Sequence, residues 1–123
     1  AYISYGAFTG LGLAAYVGQW FAGEISQAVM MHPQRAVAMV LEVMLDRLRA
    51  QPIEAGARQL DVCVTHDMNI FTMRHGAGLE PVSGPDVRFM DGLLMYEQDG
   101  QVFFASQHGG VEAVDDTLLR FSR

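Results

Sequence analysis

One stretch of the sequence decides the fold, Leu60-Asp61-Val62-Cys63-Val64-Thr65, and it is followed at once by His66 and Asp67. The six residues form a short run rich in β-branched side chains, which predicts one strand of a buried sheet. The next residues, Ile70 to His75, are typical of a helix. The sequence therefore places the His66–Asp67 pair at a strand-to-helix junction.

Two helices are predicted before this strand. The first runs from about Leu13 to Met31, because large apolar residues recur there at helical spacing. The second begins near Pro33, where a missing N–H is tolerated in the first helical turn, and ends near Gln51-Pro52. Its apolar residues follow the three-and-four spacing of an amphipathic helix.

A hairpin is predicted after the junction. Val87 to Glu97 and Gln101 to Gln107 are two apolar runs separated by Asp99-Gly100, a strong turn signal. These elements together predict an α/β fold with helices packed on a small mixed sheet. The strand ending at Thr65 is expected near the centre of that sheet, and the hairpin toward an edge. The tail from Val111 to Phe121 receives no assignment.

The composition excludes several classes of protein. A chain of 123 residues forms one domain, and 50% apolar residues argue against disorder. The net charge of −6, with arginine as the only basic residue besides histidine, excludes a general nucleic-acid footprint. A single cysteine, Cys63, forms no internal disulfide. The first ionisable side chain is Glu24, but the tyrosines and glycines before it make a membrane span the less favoured interpretation.

The polar residues at the junction suit phosphoryl chemistry. Ligands of open α/β sheets lie beyond the carboxyl ends of the strands, where helix N-termini present free N–H groups. There His66 could contact an anion, and the carboxyl group of Asp67 could protonate a leaving oxygen. The structural alternative is that Asp67 is a helix N-cap that accepts an N–H near Asn69 or Ile70.

The segment Val64 to Ile70 resembles the His-Asp-x-Asn motif of the histidine phosphatase superfamily, in particular its acid phosphatase and phytase branch. The surrounding elements resemble that family too, including a hairpin that opens with Phe89-Met90-Asp91-Gly92. The resemblance covers most of the chain but only the second half of the family's domain. Residues 1–123 are therefore interpreted as a single partial domain, also because the chain opens with Ala1 rather than methionine.

The resemblance assigns a role to each matching residue. It implies that His66 contacts the phosphoryl group and that Asp67 protonates the leaving alcohol while a phosphohistidine intermediate forms. Asn69 matches the motif and is expected to position His66 or to bond a loop at the substrate-binding end. Asp91 also lies in a family-like pattern, but we interpret it as structural, because an aspartate beside a glycine in a strand is typical of a bulge.

The nucleophile of the family is missing. It belongs to an Arg-His-Gly motif on the first strand of the domain, and nothing before Leu60 matches it. Arg74-His75-Gly76 has the same three residues, but it falls in the last turn of the helix predicted after His66, with Gly76 or Gly78 as the stop. We therefore do not assign His75 as the nucleophile, and we expect Arg74 and Arg88 to be surface residues.

No metal or cofactor is predicted. The four histidines, His32, His66, His75 and His108, show none of the short spacings of a metal site. His108 precedes Gly109-Gly110 and is expected in a turn. The methionines fall mainly on apolar faces and are expected to fill the core.

Two functions follow from these observations. The first is hydrolysis of a phosphorylated small molecule through a phosphohistidine, with this chain supplying His66 and Asp67 and inactive without the missing N-terminal half. The second is a non-catalytic binding or oligomerisation module that keeps the fold without the nucleophile. In that case the uncharged opening would pack on another subunit, because missing strands leave sheet edges unpaired.

Overall fold

A computed structural model describes residues 12–50, 52, 54–81 and 87–115. Within those ranges the helices are α1 (Leu13–Phe21), α2 (Pro33–Arg49) and α3 (Asp67–Gly76). The strands are β1 (Leu93–Gln98), β2 (Gln101–Ser106) and β3 (Val111–Ala113), which form an antiparallel sheet in the order β1-β2-β3. The α/β class is confirmed. No helix in the described part of the chain is long and apolar enough to cross a membrane.

Helix α1 is shorter than the sequence predicts. It ends at Phe21 rather than near Met31, because Gly23 adopts a left-handed φ of 81° that a helix does not continue through. Ser26 then stabilises a turn by accepting the Ala28 N–H with its hydroxyl oxygen. The chain folds back so that the Trp20 indole N–H donates to the Met31 carbonyl oxygen over 2.8 Å.

Helix α2 confirms its prediction. It begins at Pro33, in the first-turn position expected of proline, and ends at Arg49. The residue before it, His32, caps the helix: its Nδ1 accepts the Gln34 N–H over 3.3 Å. The buried face carries Val37, among others, and packs against α3 and the sheet.

The hairpin is also confirmed, within tighter bounds. Asp99 and Gly100 both have positive φ, 52° and 77°, as a two-residue turn with the twist of a β-hairpin requires. β1 and β2 pair from Leu93↔Ser106 to Gln98↔Gln101. Strand β3, in the tail that had no assignment, pairs with β2. The chain beyond Asp115 and the opening before Gly12 lie outside the described residues.

The core lies between α2, α3 and one face of the sheet. Its buried members come from both helices, from the loop after α3 and from the strands and their ends: Val37, Leu41, Leu45, Met73, Ala77, Leu79, Met95, Val102, Phe104 and Val114. The expectation that methionines fill the core is met by Met73 and Met95, whereas Met90 is 86% exposed and Met39 45% exposed.

The predicted central strand is wrong for the described residues. Leu60–Thr65 is neither helix nor strand, and the sheet that forms is antiparallel rather than mixed. Leu60, Val62 and Val64 are 79%, 78% and 93% exposed. The residues have the composition of a strand, but a strand exists only where a neighbour takes its hydrogen bonds, and no described residue does so.

Candidate functional site

His66 and Asp67 lie at the exposed start of α3. His66 is the N-cap residue, with extended backbone (φ −98°, ψ 164°), and Asp67 is the first helical residue. The predicted helix after the pair is therefore confirmed, although the described residues directly before it, Leu60–Thr65, do not form a strand. Both side chains are exposed to solvent.

Asp67 accepts a backbone N–H, as expected of a helix N-cap, but from a different residue than the one predicted. Asp67 Oδ1 accepts the N–H of Met68 over 2.7 Å, not that of Asn69 or Ile70. The side chain of His66 makes no capping bond. A carboxylate in the first turn is favourable, because the N-terminal end of the helix dipole is positive.

Asn69 bonds a neighbouring loop residue, one of its two expected roles. Its Nδ2 donates to Thr65 Oγ1 over 2.7 Å, which ties the chain before the helix to the first turn of α3. This bond connects residues on either side of Asp67, each two positions away from it along the chain. Asn69 thereby stabilises the backbone of residues 65–69, which includes His66 and Asp67.

The far end of α3 carries the Arg74-His75-Gly76 sequence, as predicted. His75 packs edge-to-face against Phe21, with ring centroids 4.6 Å apart, and Gly78 has the left-handed φ of 77° that stops the chain beyond the helix. His66 and His75 are nine residues apart along α3, about 13 Å at 1.5 Å per residue. Nine residues are also two and a half helical turns, so the two side chains leave opposite sides of α3 and do not face one phosphoryl group.

Arg74 is buried, and its prediction as a surface residue is wrong. It is 3% exposed, and its guanidinium lies 5.3 Å from the centroid of the Phe71 ring. Arginine tolerates such a position because its planar cation stacks on aromatic faces and its stem is apolar. Arg88, in contrast, is exposed as expected.

A polar cluster that the sequence did not reveal surrounds Asp91. Its Oδ2 accepts the Arg88 N–H over 2.9 Å, its Oδ1 accepts from the Gln107 side-chain amide, and His108 Nε2 lies 3.7 Å from Oδ2. The Arg88 N–H, helped by the Gln107 side-chain amide and by the nearby His108 and Arg74 side chains, holds the pKa of Asp91 below its ordinary value. Asp91 is structural, as interpreted, but it joins two loops rather than forming a bulge.

No pattern in the sequence pointed to this cluster. Gln107 and His108 are 16 and 17 positions away from Asp91 along the chain, and only the hairpin register brings them together. A second loop contact supports the same end of the sheet: Ser106 Oγ donates to Glu80 Oε1 over 2.8 Å and accepts the His108 N–H. His108 lies in the turn that was expected of it.

Two concave regions among the described residues lie near α3, and neither is lined by His66 or Asp67. A cavity of about 80 Å³ lies between the helices and is lined by Val40, Met68, Asn69 and Thr72, among others. Thr72 is 5% exposed, and its hydroxyl has no hydrogen-bond partner among the described residues. A wider groove of about 630 Å³ lies along α1 and reaches His75. Asn69 thus lines the smaller of these two regions, whereas the His66–Asp67 pair lines neither.

The described part of the chain contains no group of three histidine, cysteine or acidic side chains placed to hold a metal ion. Comparison of the chain with protein-family models, with curated proteins and with solved structures found no match.

Proposed function

We propose that this chain supplies the phosphate-contacting histidine and the proton-donating aspartate of a histidine phosphatase site. The observation that supports the proposal most is the position of the pair: His66 is the N-cap residue of α3 and Asp67 is its first residue, and both side chains are exposed at the positive end of the helix. The His-Asp-x-Asn resemblance assigns the chemistry to these two side chains.

The reaction would proceed in two steps. A nucleophilic imidazole nitrogen attacks phosphorus, so that a P–N bond forms as the P–O bond to the leaving group breaks. Asp67 gives its proton to the departing alkoxide, while His66 donates a hydrogen bond to a phosphoryl oxygen. In the second step water attacks phosphorus as the P–N bond breaks, the Asp67 carboxylate takes the proton of that water, and inorganic phosphate leaves the restored imidazole. His75 leaves the opposite side of α3 from His66, and neither His32 nor His108 stands in an Arg-His-Gly motif, so we place the nucleophilic histidine in a part of the protein outside residues 1–123.

The test is hydrolysis of an aryl phosphate by two forms of the protein. The chain of residues 1–123 is expected to show no turnover, and a longer chain with an upstream Arg-His-Gly motif is expected to be active. In the longer chain Asp67→Asn should lower kcat for an alkyl phosphate by about 100-fold or more. The leaving alkoxide of such a substrate is poor and depends on the proton donor that the substitution removes. Asp46→Asn, an exposed carboxylate on α2, is the matched control.

An active longer chain whose kcat is unchanged by both Asp67→Asn and His66→Ala would contradict the proposal. Circular dichroism of each variant keeps this outcome interpretable, since both side chains are exposed and neither substitution removes core contacts.

One observation favours a second function, that of an assembly module. Leu60, Val62 and Val64 expose their side chains on a segment of strand-like composition, and such surfaces are rarely left open on a soluble monomer. The test is the molar mass in solution as a function of concentration. A mass that stays monomeric at every concentration would contradict it.

A further inference from the structure

The carboxyl group of Asp67 is carried by the first turn of α3, a part of a helix that frays readily. The N–H groups of a first turn have no partners within the helix. The buried residues of α3 are Phe71, Thr72, Met73 and Arg74, which all follow that turn. A proton donor must nevertheless keep a defined place relative to the leaving oxygen. Contacts outside the core therefore have to hold the first turn.

One side-chain hydrogen bond closes across this turn. Asn69 Nδ2 donates to Thr65 Oγ1 over 2.7 Å. Thr65 directly precedes the N-cap residue His66, and Asn69 is the third residue of α3. In the usual capping box the hydroxyl belongs to the N-cap residue, whereas here it belongs to the residue before the N-cap. The bond thus encloses residues 66–68, with Asp67 at the centre.

A second hydrogen bond lies within the enclosed residues. Asp67 Oδ1 accepts the Met68 N–H over 2.7 Å. The direction of that N–H follows the backbone of residues 66–68, which the bond between Thr65 and Asn69 restrains. A protonated carboxyl group has one O–H donor and keeps acceptor capacity, so Oδ2 can carry the proton while Oδ1 keeps its bond. The two bonds together set the place of the Asp67 carboxyl group.

We propose that Thr65 is a positioning residue for the proton donor, because its bond to Asn69 keeps the first turn of α3 formed and Asp67 directed at the leaving oxygen. The proposal rests on the proposed phosphatase function and deepens it. Asp67 is tied to the first turn through Met68, whereas the His66 side chain makes no capping bond. Loss of the Thr65 hydroxyl therefore acts on proton transfer.

The same bond contributes little to overall stability. Thr65 and Asn69 are both exposed, and an exposed side-chain hydrogen bond replaces bonds to water of similar strength. Neither residue belongs to the hydrophobic core. A loss of activity without a change in the free energy of unfolding would therefore report on the position of Asp67.

The test compares two substrates of the longer chain that carries the Arg-His-Gly motif. Thr65→Val keeps the branched shape and removes the hydroxyl group. It should lower kcat for an alkyl phosphate about tenfold with little change in KM, because the proton donor is misplaced. For 4-nitrophenyl phosphate kcat should change by less than about twofold, since nitrophenolate leaves without a proton.

Two variants serve as controls in the same assays. Thr65→Ser keeps the hydroxyl group and should restore the native kcat on both substrates. Gln59→Met removes a different exposed hydrogen bond, from Gln59 Nε2 to Asp61 Oδ2 over 2.9 Å, and should leave both kcat values unchanged.

A double-mutant cycle tests whether Thr65 acts through Asn69. Asn69→Leu removes the donor of the bond. If the two side chains act through one bond, Thr65→Val should cause no further loss of alkyl-phosphate kcat in the Asn69→Leu background. Losses that multiply would contradict the proposal.

Hydrogen exchange in the 123-residue chain tests the effect on the first turn directly. The Ile70 N–H donates to the His66 carbonyl oxygen over 3.2 Å and reports on that turn. Its exchange should become about threefold or more faster in Thr65→Val and return to the native rate in Thr65→Ser. An unchanged rate in Thr65→Val would contradict the proposal.

The substrate assays also separate this proposal from the function on which it rests. If Asp67→Asn lowers the alkyl-phosphate kcat, two results of Thr65→Val overturn this proposal alone: an unchanged kcat, or equal losses on both substrates. An Asp67→Asn variant with unchanged alkyl-phosphate kcat overturns both this proposal and the proton-donor role of Asp67.

Discussion

At the scale of single residues, local capping and turn positions could be predicted from the sequence, and long-range polar contacts could not. Pro33 and Asp99-Gly100 carry backbone preferences that act within a few residues, and the structure places all of them as expected. Arg74 and Asp91 are defined by partners far along the chain. The burial of Arg74 and the hydrogen bonds of Asp91 therefore depend on the tertiary structure, and a local sequence pattern does not predict them.

The Asp91 cluster gives a prediction on pH dependence. The pKa of Asp91 is lowered on folding, chiefly by the Arg88 N–H. The ionised carboxylate therefore stabilises the folded protein at pH values above its ordinary pKa of 3.8, and this stabilisation is lost as the pH falls through the lower pKa of the folded state. Asp91→Asn should therefore destabilise the protein at pH 7, and the difference from the native chain should shrink below about pH 4. Urea unfolding of both proteins at several pH values measures this difference in the free energy of unfolding.

The control for this experiment is Asp46→Asn, which removes an exposed carboxylate from α2 and should leave the profile nearly parallel to that of the native chain. Asp61 contributes with the same sign as Asp91, because its pKa is also lowered. A gap between Asp91→Asn and the native chain that widens toward low pH would contradict the assigned role.

At the scale of elements, the helices and the hairpin followed from the sequence because each is built from contacts close along the chain. The apolar spacing of α2 and the hairpin turn needed no outside partner. Leu60–Thr65 was assigned as a strand on the same kind of pattern and is not one, because strand formation requires hydrogen bonds from another segment. Its composition indicates what the segment can pair with, not that it is paired.

The packing of α3 gives a prediction at this scale. Gly76 lies so close to α1 and α2 that an added Cβ would come within 2.3 Å of Val37 Cγ2 and 3.0 Å of Phe21 Cζ. Gly76→Ala should therefore destabilise the protein by about 1–3 kcal/mol through overpacking, although alanine favours helices. Gly92→Ala, where a Cβ would meet nothing within 4 Å, is the control. Equal unfolding midpoints for the two variants would contradict this packing.

At the scale of the whole molecule, the α/β class was predictable and the surroundings of the site were not. The helix that presents His66 and Asp67 lies where the sequence placed it, but the pair faces solvent and lines neither concave region among the described residues. A phosphoryl group held by one imidazole and one carboxyl group needs further donors for its remaining oxygens. The proposed site therefore requires groups from beyond residues 12–115 to bind the remaining phosphoryl oxygens.

The most direct measurement is a crystal structure of the longer, Arg-His-Gly-bearing chain with vanadate, which imitates the phosphoryl group in transfer. We expect vanadium bonded to an upstream histidine, with a nitrogen of His66 and a carboxyl oxygen of Asp67 each about 3 Å from a vanadate oxygen. Vanadate bound elsewhere, with His66 and Asp67 still turned to solvent, would contradict it.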